Sequence, residues 1–181
     1  MFLTGEGMAG VLERSIAGPA MMVFTISTLS MLTCQLLKFL IGLMKEREAK
    51  WYMLISTGGF PSSHTGFTVA LCVSLGFFQC YTQGQVDWSF AVALVYMCVI
   101  IHDAMGVRLE ASKHAVILNN MAENYTEEEK QKLGYGKKGH LKEMLGHHGT
   151  EVLGGVLVGV IFGVAGFFIC MPFLTQYVPT V

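Results

Sequence analysis

Four long apolar segments constrain this chain more than any other feature, because each is long enough to cross a lipid bilayer. They cover about residues 18–43, 63–81, 88–107 and 152–173. A helix needs about 20 mostly apolar residues to span the hydrocarbon core. The sequence therefore predicts an all-α, polytopic membrane helical bundle with about four transmembrane helices, formed by a single integral membrane domain over residues 1–181.

The composition agrees with a membrane location. Hydrophobic residues make up 52% of the chain and charged residues 14%, and the mean hydropathy is +0.52, a balance that does not suit a soluble globule. The net charge of −1 gives no global basic field, so we expect no nucleic-acid partner. The five cysteines lie in apolar runs without metal-type spacing, so we interpret them as packing residues. No signal peptide is expected, because no cleavage-type site follows the first apolar stretch.

The connections between the spans are unequal. The turn between the second and third spans is short and nearly uncharged, whereas residues 109–150 form a long polar segment. In that segment we predict one short helix that begins at Thr126, where Glu129 completes a capping box, and another at residues 141–145. Gly134 and Gly139 are among the glycines that separate the two.

Basic residues lie almost entirely on one side of the predicted membrane. Only Arg14 precedes the first span, and Lys38 lies near that span's end. The positive-inside rule makes the basic side cytoplasmic, with both termini outside, in a multi-pass protein of the cell membrane. The loops on the basic side contain Lys45, Arg47, Lys50, Arg108, Lys113, Lys130, Lys132, Lys137, Lys138 and Lys142.

Polar residues at the ends of the four spans are predicted to meet on this cytoplasmic side. The first and third spans end there, and the second and fourth begin there. Ionisable groups at such positions are costly, so a cluster of them predicts a functional site. The cluster contains Lys38, Arg47, His64, Asp103, Arg108, His147 and Glu151.

The stretch from Gly58 to His64 reads Gly-Gly-Phe-Pro-Ser-Ser-His and opens the second span. The N–H groups and dipole of a helix start attract anions. Ser62 and Ser63 add hydroxyl donors, and His64 can exchange a proton near neutral pH. The alternative is an ordinary Pro-Ser helix start with an interfacial histidine.

His147 and Glu151 are four residues apart, which places them on one face of a helix. A carboxylate one turn from an imidazole can fix its tautomer and raise its nucleophilicity. We interpret the neighbouring His148 as a bystander. The alternative is that His147 and Glu151 are two solvated residues before a span.

Asp103 and Arg108 end the third span. Arginine suits a phosphoryl group because it can make two parallel hydrogen bonds to it. The alternative is a structural ion pair of Asp103 with Arg108 or with Lys38.

The fourth span carries overlapping GxxxG patterns, which imply close helix packing. This packing occurs either within the bundle or in a homodimer. The glycines are Gly155, Gly159 and Gly163.

Taken together, these motifs resemble the divergent branch of the type 2 phosphatidic acid phosphatases, a family related to acid phosphatases and vanadium-dependent haloperoxidases. The resemblance covers about residues 35–163. It rests on the stretches 56–65 (Ser-Thr-Gly-Gly-Phe-Pro-Ser-Ser-His-Thr), 103–108 (Asp-Ala-Met-Gly-Val-Arg) and 141–147 (Leu-Lys-Glu-Met-Leu-Gly-His), followed by Glu151-Val152.

The resemblance implies a role for each matching residue. His147 resembles the nucleophile that forms a phosphohistidine, and His64 resembles the acid that protonates the leaving group. Glu151 stands where an orienting aspartate is expected, and Ser62 and Ser63 match the phosphate-binding turn.

Two departures separate the chain from the wider superfamily. The arginine expected six residues before His147 falls at Leu141, which cannot bind phosphate. Lys142 or Arg108 would substitute for it, with Lys38 and Arg47 as an upstream basic clamp. Four spans are also fewer than the six usual in membrane members.

The leading hypothesis is a lipid phosphatase that acts on a lipid or polyprenyl phosphate or diphosphate in the bilayer, without metal or cofactor. One alternative is a non-catalytic lipid-phosphate binding protein or transporter, which the missing arginine favours. The other is a metal-dependent membrane hydrolase or ion transporter, with His64, Asp103, His147 and Glu151 as ligands.

Overall fold

The computed structural model describes residues 18–46, 58–135, 139–143 and 146–178. These residues form six α-helices, and a short 3₁₀ turn, Thr175–Tyr177, follows the last of them. The helices are α1 (Pro19–Glu46), α2 (Ser63–Gln83), α3 (Trp88–Met105), α4 (Val107–Met121), α5 (Glu127–Lys132) and α6 (Gly149–Leu174).

Four helical units are long and apolar enough to cross a membrane, which confirms the predicted fold class. They are Pro19–Met44, Ser63–Gln83, Trp88–Met121 and Gly149–Tyr177. Three of them turn most of their surface outward with apolar side chains, as expected for helices that contact lipid, whereas half of Ser63–Gln83 is buried.

The third unit differs from the prediction, because the helix continues beyond residue 109, where the polar connection was expected to begin. The chain breaks its helical path only at Gly106, whose φ of −104° and ψ of −92° are non-helical. It then resumes as α4 up to Met121. Residues 107–121 contain neither Gly nor Pro, so nothing interrupts the backbone hydrogen bonds of the helix there.

Helix α2 lies at the centre of the bundle and packs against α1, α3 and α6. Its contact with α6 depends on glycines. A Cβ atom at Gly155 would lie 2.4 Å from the carbonyl oxygen of Ser62, and one at Gly159 would lie 2.8 Å from the carbonyl oxygen of Gly66. A Cβ at Gly163 would lie 2.7 Å from the Cβ of Val73. The GxxxG face is therefore used for packing within the bundle.

Helix α1 approaches α2 through small side chains. The hydroxyl of Ser30 donates to the carbonyl oxygen of Gly66 at 3.0 Å, and a Cβ at Gly66 would lie 2.7 Å from the sulfur of Cys34. Cys34 is fully buried and has a free thiol, which agrees with its interpretation as a packing residue.

The polar segment after α4 folds back onto that helix. Helix α5 begins with the predicted capping box between Thr126 and Glu129. The backbone N–H and hydroxyl of Thr126 hold the pKa of Glu129 below its usual value. The prediction of a helix at residues 141–145 is wrong for the residues that the structure describes. Residues 141–143 are not helical, and residues 144–145 lie outside the described part of the chain.

Candidate active site

The ends of four helices meet at one end of the bundle, as the crossing pattern predicts. Two backbone hydrogen bonds join three of these ends, those of α2, α3 and α6. The N–H of Ser62 donates to the carbonyl of Glu151 at 2.9 Å, and the N–H of His147 donates to the carbonyl of Ala104 at 2.9 Å. These bonds connect the start of α2 to α6, and the end of α3 to the segment that enters α6.

His147 and Glu151 form the best-defined pair in this cluster. Nδ1 of His147 lies 2.8 Å from Oε2 of Glu151. A carboxylate can only accept a hydrogen bond, so Nδ1 carries a proton, and in the neutral imidazole Nε2 is then the nitrogen with the lone pair. Only 2% of the His147 side chain and 19% of the Glu151 side chain are exposed. His148, next in the chain, is exposed.

The contact between His147 and Glu151 does not arise from two residues on one face of a helix, as the sequence predicts. His147 lies outside the helix, because His148 is the N-cap and α6 begins at Gly149. Gly146 turns the chain with a φ of +79°, and the backbone of His147 is bonded to α3. The imidazole therefore reaches back to Glu151 in the first turn of α6.

The other nitrogen of His147 is unusual. Nε2 is buried and has no hydrogen-bond partner among the described residues. Buried polar atoms are nearly always hydrogen-bonded, so an exception calls for a functional explanation. A basic nitrogen with an unused lone pair is suited to attack an electrophile or accept a proton.

His64 projects from the first turn of α2 and is exposed. It interacts electrostatically with Arg108, His147, Lys38 and Asp103. The two histidines, Arg108 and Lys38 therefore lie close enough to interact electrostatically, although they come from four different parts of the chain.

Asp103 and Arg108 form an ion pair between Oδ2 and Nε. This pairing agrees with the structural alternative considered for Asp103. The Nε–H of Arg108 donates to the Asp103 carboxylate, and the guanidinium carries four further N–H donors on its terminal nitrogens. Asp103 is therefore placed to orient Arg108, whose side chain is 44% exposed.

The remaining basic residues are placed differently from one another. Lys38 is buried, interacts electrostatically with Glu151, and runs its stem along Gly59, where a Cβ would lie 3.4 Å from its Cδ. Lys142 is exposed on the non-helical segment after α5. Arg47 lies outside the described residues.

Ser62 and Ser63 are both buried at the start of α2. The Ser62 hydroxyl oxygen is the N-cap of the helix. It accepts from the N–H of Thr65 at 3.4 Å and from the Thr65 hydroxyl at 2.9 Å. This serine therefore caps the start of α2 with its own side chain.

No three His, Cys, Asp or Glu side chains in the described ranges are grouped closely enough to hold a metal ion. His147 is instead paired with Glu151, and Asp103 with Arg108.

A second polar cluster lies at the opposite end of the bundle and is structural. Asp87 caps α3 through the N–H of Ser89 at 2.7 Å and also accepts from the amide of Gln79 at 2.8 Å. The Ser89 hydroxyl and N–H, followed by Gln79, hold the pKa of Asp87 below its usual value. These residues line a cleft of about 680 Å³, and their hydrogen bonds are satisfied among themselves.

Comparison with known proteins agrees with this arrangement. Residues 20–162 match the Divergent PAP2 family. The chain is also 30% identical over 148 residues to the uncharacterized membrane protein YuiD of Bacillus subtilis (strain 168). The aligned region covers 75% of this chain and 87% of that protein. No solved structure matches the chain significantly. The chain therefore belongs to the Divergent PAP2 family and is a multi-pass membrane protein.

Proposed function

We propose that this protein is a membrane lipid phosphatase that hydrolyses a lipid or polyprenyl phosphate or diphosphate through a phosphohistidine. The observation that carries the proposal is the hydrogen bonding of the two ring nitrogens of His147. Its Nδ1 is held by Glu151, and its buried Nε2 has no partner among the described residues. This arrangement supports nucleophilic attack by Nε2 on phosphorus.

The proposed reaction has two steps. The lone pair of Nε2 attacks phosphorus while the bond from phosphorus to the lipid oxygen breaks, and His64 gives its proton to that oxygen. His64 then takes a proton from water, whose oxygen attacks the phosphorus of the phosphohistidine. The bond from phosphorus to Nε2 breaks, its electron pair returns to Nε2, and inorganic phosphate is released. Glu151 holds Nδ1 of His147 and stabilises the positive charge that the ring gains on attack.

Basic groups would stabilise the equatorial oxygens of the phosphoryl group, which is the main task of a protein in phosphoryl transfer. Arg108 is the strongest candidate, because Asp103 fixes one edge of its guanidinium. Lys38 and the first N–H groups of α2 lie in the same cluster, and we propose Lys142 and Arg47 as further contributors. Leu141 stands where the superfamily has an arginine, so the charge comes from other elements.

Access to His147 requires a local movement, because Nε2 is covered. His64 is exposed and Arg108 is 44% exposed, so these neighbours have room to shift when a phosphate approaches. The site lies at the end of the spans, where a lipid headgroup would meet it while the lipid chains stay in the bilayer. We propose that this end lies on the cytoplasmic side, a proposal that the charge asymmetry of the loops supports.

A second candidate is a lipid-phosphate carrier that keeps the anion site without turnover. The covered Nε2 and the leucine at position 141 favour it. It predicts binding of lipid phosphate and movement of labelled lipid between the leaflets of vesicles, with no release of phosphate.

The deciding experiment measures phosphate release by the purified full chain in detergent, with single-chain, diacyl and polyprenyl phosphates and diphosphates as substrates. We expect release from at least one of them at the same rate with and without a metal chelator. Binding and transbilayer movement without release would support the carrier. Release that chelator abolishes and added metal restores would replace the phosphohistidine mechanism by a metal-dependent one.

A further inference from the structure

Asn119 in α4 holds the segment that leads into His147. Its side chain is only 9% exposed. Its amide nitrogen donates to the carbonyl of Leu141 at 3.0 Å and to Oε1 of Glu143 at 2.7 Å, and its Oδ1 accepts from the N–H of Leu141 at 2.9 Å. A buried amide that uses both its donors and its acceptor on one short segment fixes the position of that segment.

His140 completes this cluster. Its Nε2 lies 3.2 Å from the Asn119 amide nitrogen and 3.3 Å from Oε1 of Glu143. The amide has no hydrogen left for His140, because its shorter bonds to Leu141 and Glu143 use both. We therefore assign a hydrogen to Nε2 of His140, which donates it to Glu143.

The segment that leads into His147 also contacts α3 and α4 at further residues. The hydroxyl of Ser112 donates to the carbonyl of Glu143. A Cβ at Gly146 would lie 2.4 Å from the backbone nitrogen of Leu109, so the backbone of Gly146 lies directly on the start of α4. The backbone bond from His147 to Ala104 then ends this row of contacts.

We propose that Asn119 is a positioning residue for the phosphatase reaction, an inference that rests on the proposed function. By holding residues 140–143 on α4, it sets the distance between Nε2 of His147 and the guanidinium of Arg108, at the start of the same helix. Both groups must face one phosphorus atom, and a misplacement of about 1 Å costs on the order of 100-fold in rate. Asn119 itself does not contact the substrate.

The test compares Asn119→Ala with Asn120→Ala in the full chain in detergent. Asn120 is the adjacent residue of the same type, and it is exposed. For Asn119→Ala we expect faster hydrogen exchange of the Leu141 amide, with exchange in α6 unchanged. We expect kcat to fall by about 10- to 100-fold and KM to stay within about twofold, because the misplaced group acts mainly in the transition state. Asn120→Ala should match the wild type in exchange, kcat and KM.

Asn119→Asp provides a second variant of nearly the same volume, which keeps the acceptor for Leu141 and removes both donors. We expect Leu141 exchange to rise at least as much as in Asn119→Ala, because the new carboxylate faces the carbonyl of Leu141 and Oε1 of Glu143, and we expect a comparable loss of kcat. An active wild type with equally active Asn119→Ala and Asn119→Asp variants would overturn the positioning role alone. A rise of KM at constant kcat would overturn it too. A wild type without phosphate release on any lipid phosphate would instead remove the proposed function, and the positioning role with it.

Discussion

Replacing His147 with Asn is expected to abolish phosphate release, with a rate loss on the order of 10⁴-fold or more. The reason is that the variant lacks the nucleophile that forms the phosphohistidine. Asparagine is polar and smaller than histidine, so it fits the space beside Glu151 and leaves the surrounding helices in place. Substrate binding should change far less, since Arg108 and Lys38 remain. The measurement is phosphate release under saturating lipid phosphate, together with equilibrium binding of the same lipid.

His148→Asn is the matched control, because it makes the same chemical change one residue along the chain. His148 is exposed and its side chain makes no capping bond to α6. We expect its rate to stay within about twofold of the wild type. Equal phosphate release by wild type and His147→Asn would remove His147 from the mechanism, whatever the control shows.

Replacing Gly159 with Leu is expected to separate α6 from α2 and to disassemble the site without touching any of its residues. Even a Cβ at this position would lie 2.8 Å from the carbonyl oxygen of Gly66 and 2.7 Å from the Cβ of Val69. Backbone atoms cannot move aside as a flexible side chain can. Overpacking of this kind costs about 1–3 kcal/mol and sometimes more. We expect a large drop in the melting temperature in detergent and loss of activity, with Gly159→Ala intermediate.

Val160→Leu is the control for this change, since Val160 is the next residue and is 40% exposed on the outside of the bundle. It should melt within a few degrees of the wild type. The experiment also separates the two interpretations of the glycine pattern. If Gly159→Leu changed only the oligomeric state and left the melting temperature and activity intact, the packing of α2 on α6 described above would be wrong.

The sequence predicts the four spans because they follow from local patterns. Apolar length identifies each span, and the alternation of crossings brings His64, Arg108 and His147 to one end. The spacing of His147 and Glu151 predicts their contact correctly, but for a different reason. The pair forms across a helix start, and the backbone bond to Ala104 that fixes His147 there joins residues 43 positions apart.

Other features depend on tertiary contacts that no local pattern contains. Asn119 binds Leu141, which lies 22 positions along the chain, so nothing near Asn119 in the sequence indicates its task. The GxxxG pattern predicts only that a helix packs closely against another. Which helix it contacts depends on the tertiary position of α2. The sequence pattern assigns residues 109–121 to the polar connection, because polar side chains end the apolar run there even though no Gly or Pro interrupts the helix.

The most direct test of the central claim is the capture of the phosphorylated enzyme. Wild-type protein and His147→Asn would be mixed with a lipid phosphate that the wild type hydrolyses, stopped rapidly under alkaline conditions that preserve phosphohistidine, digested, and mapped by mass spectrometry. We expect one phosphoryl group on His147 in the wild type and none in the variant. A phosphoryl group on another residue, or turnover in the wild type with no phosphorylated residue at any time point, would contradict the account.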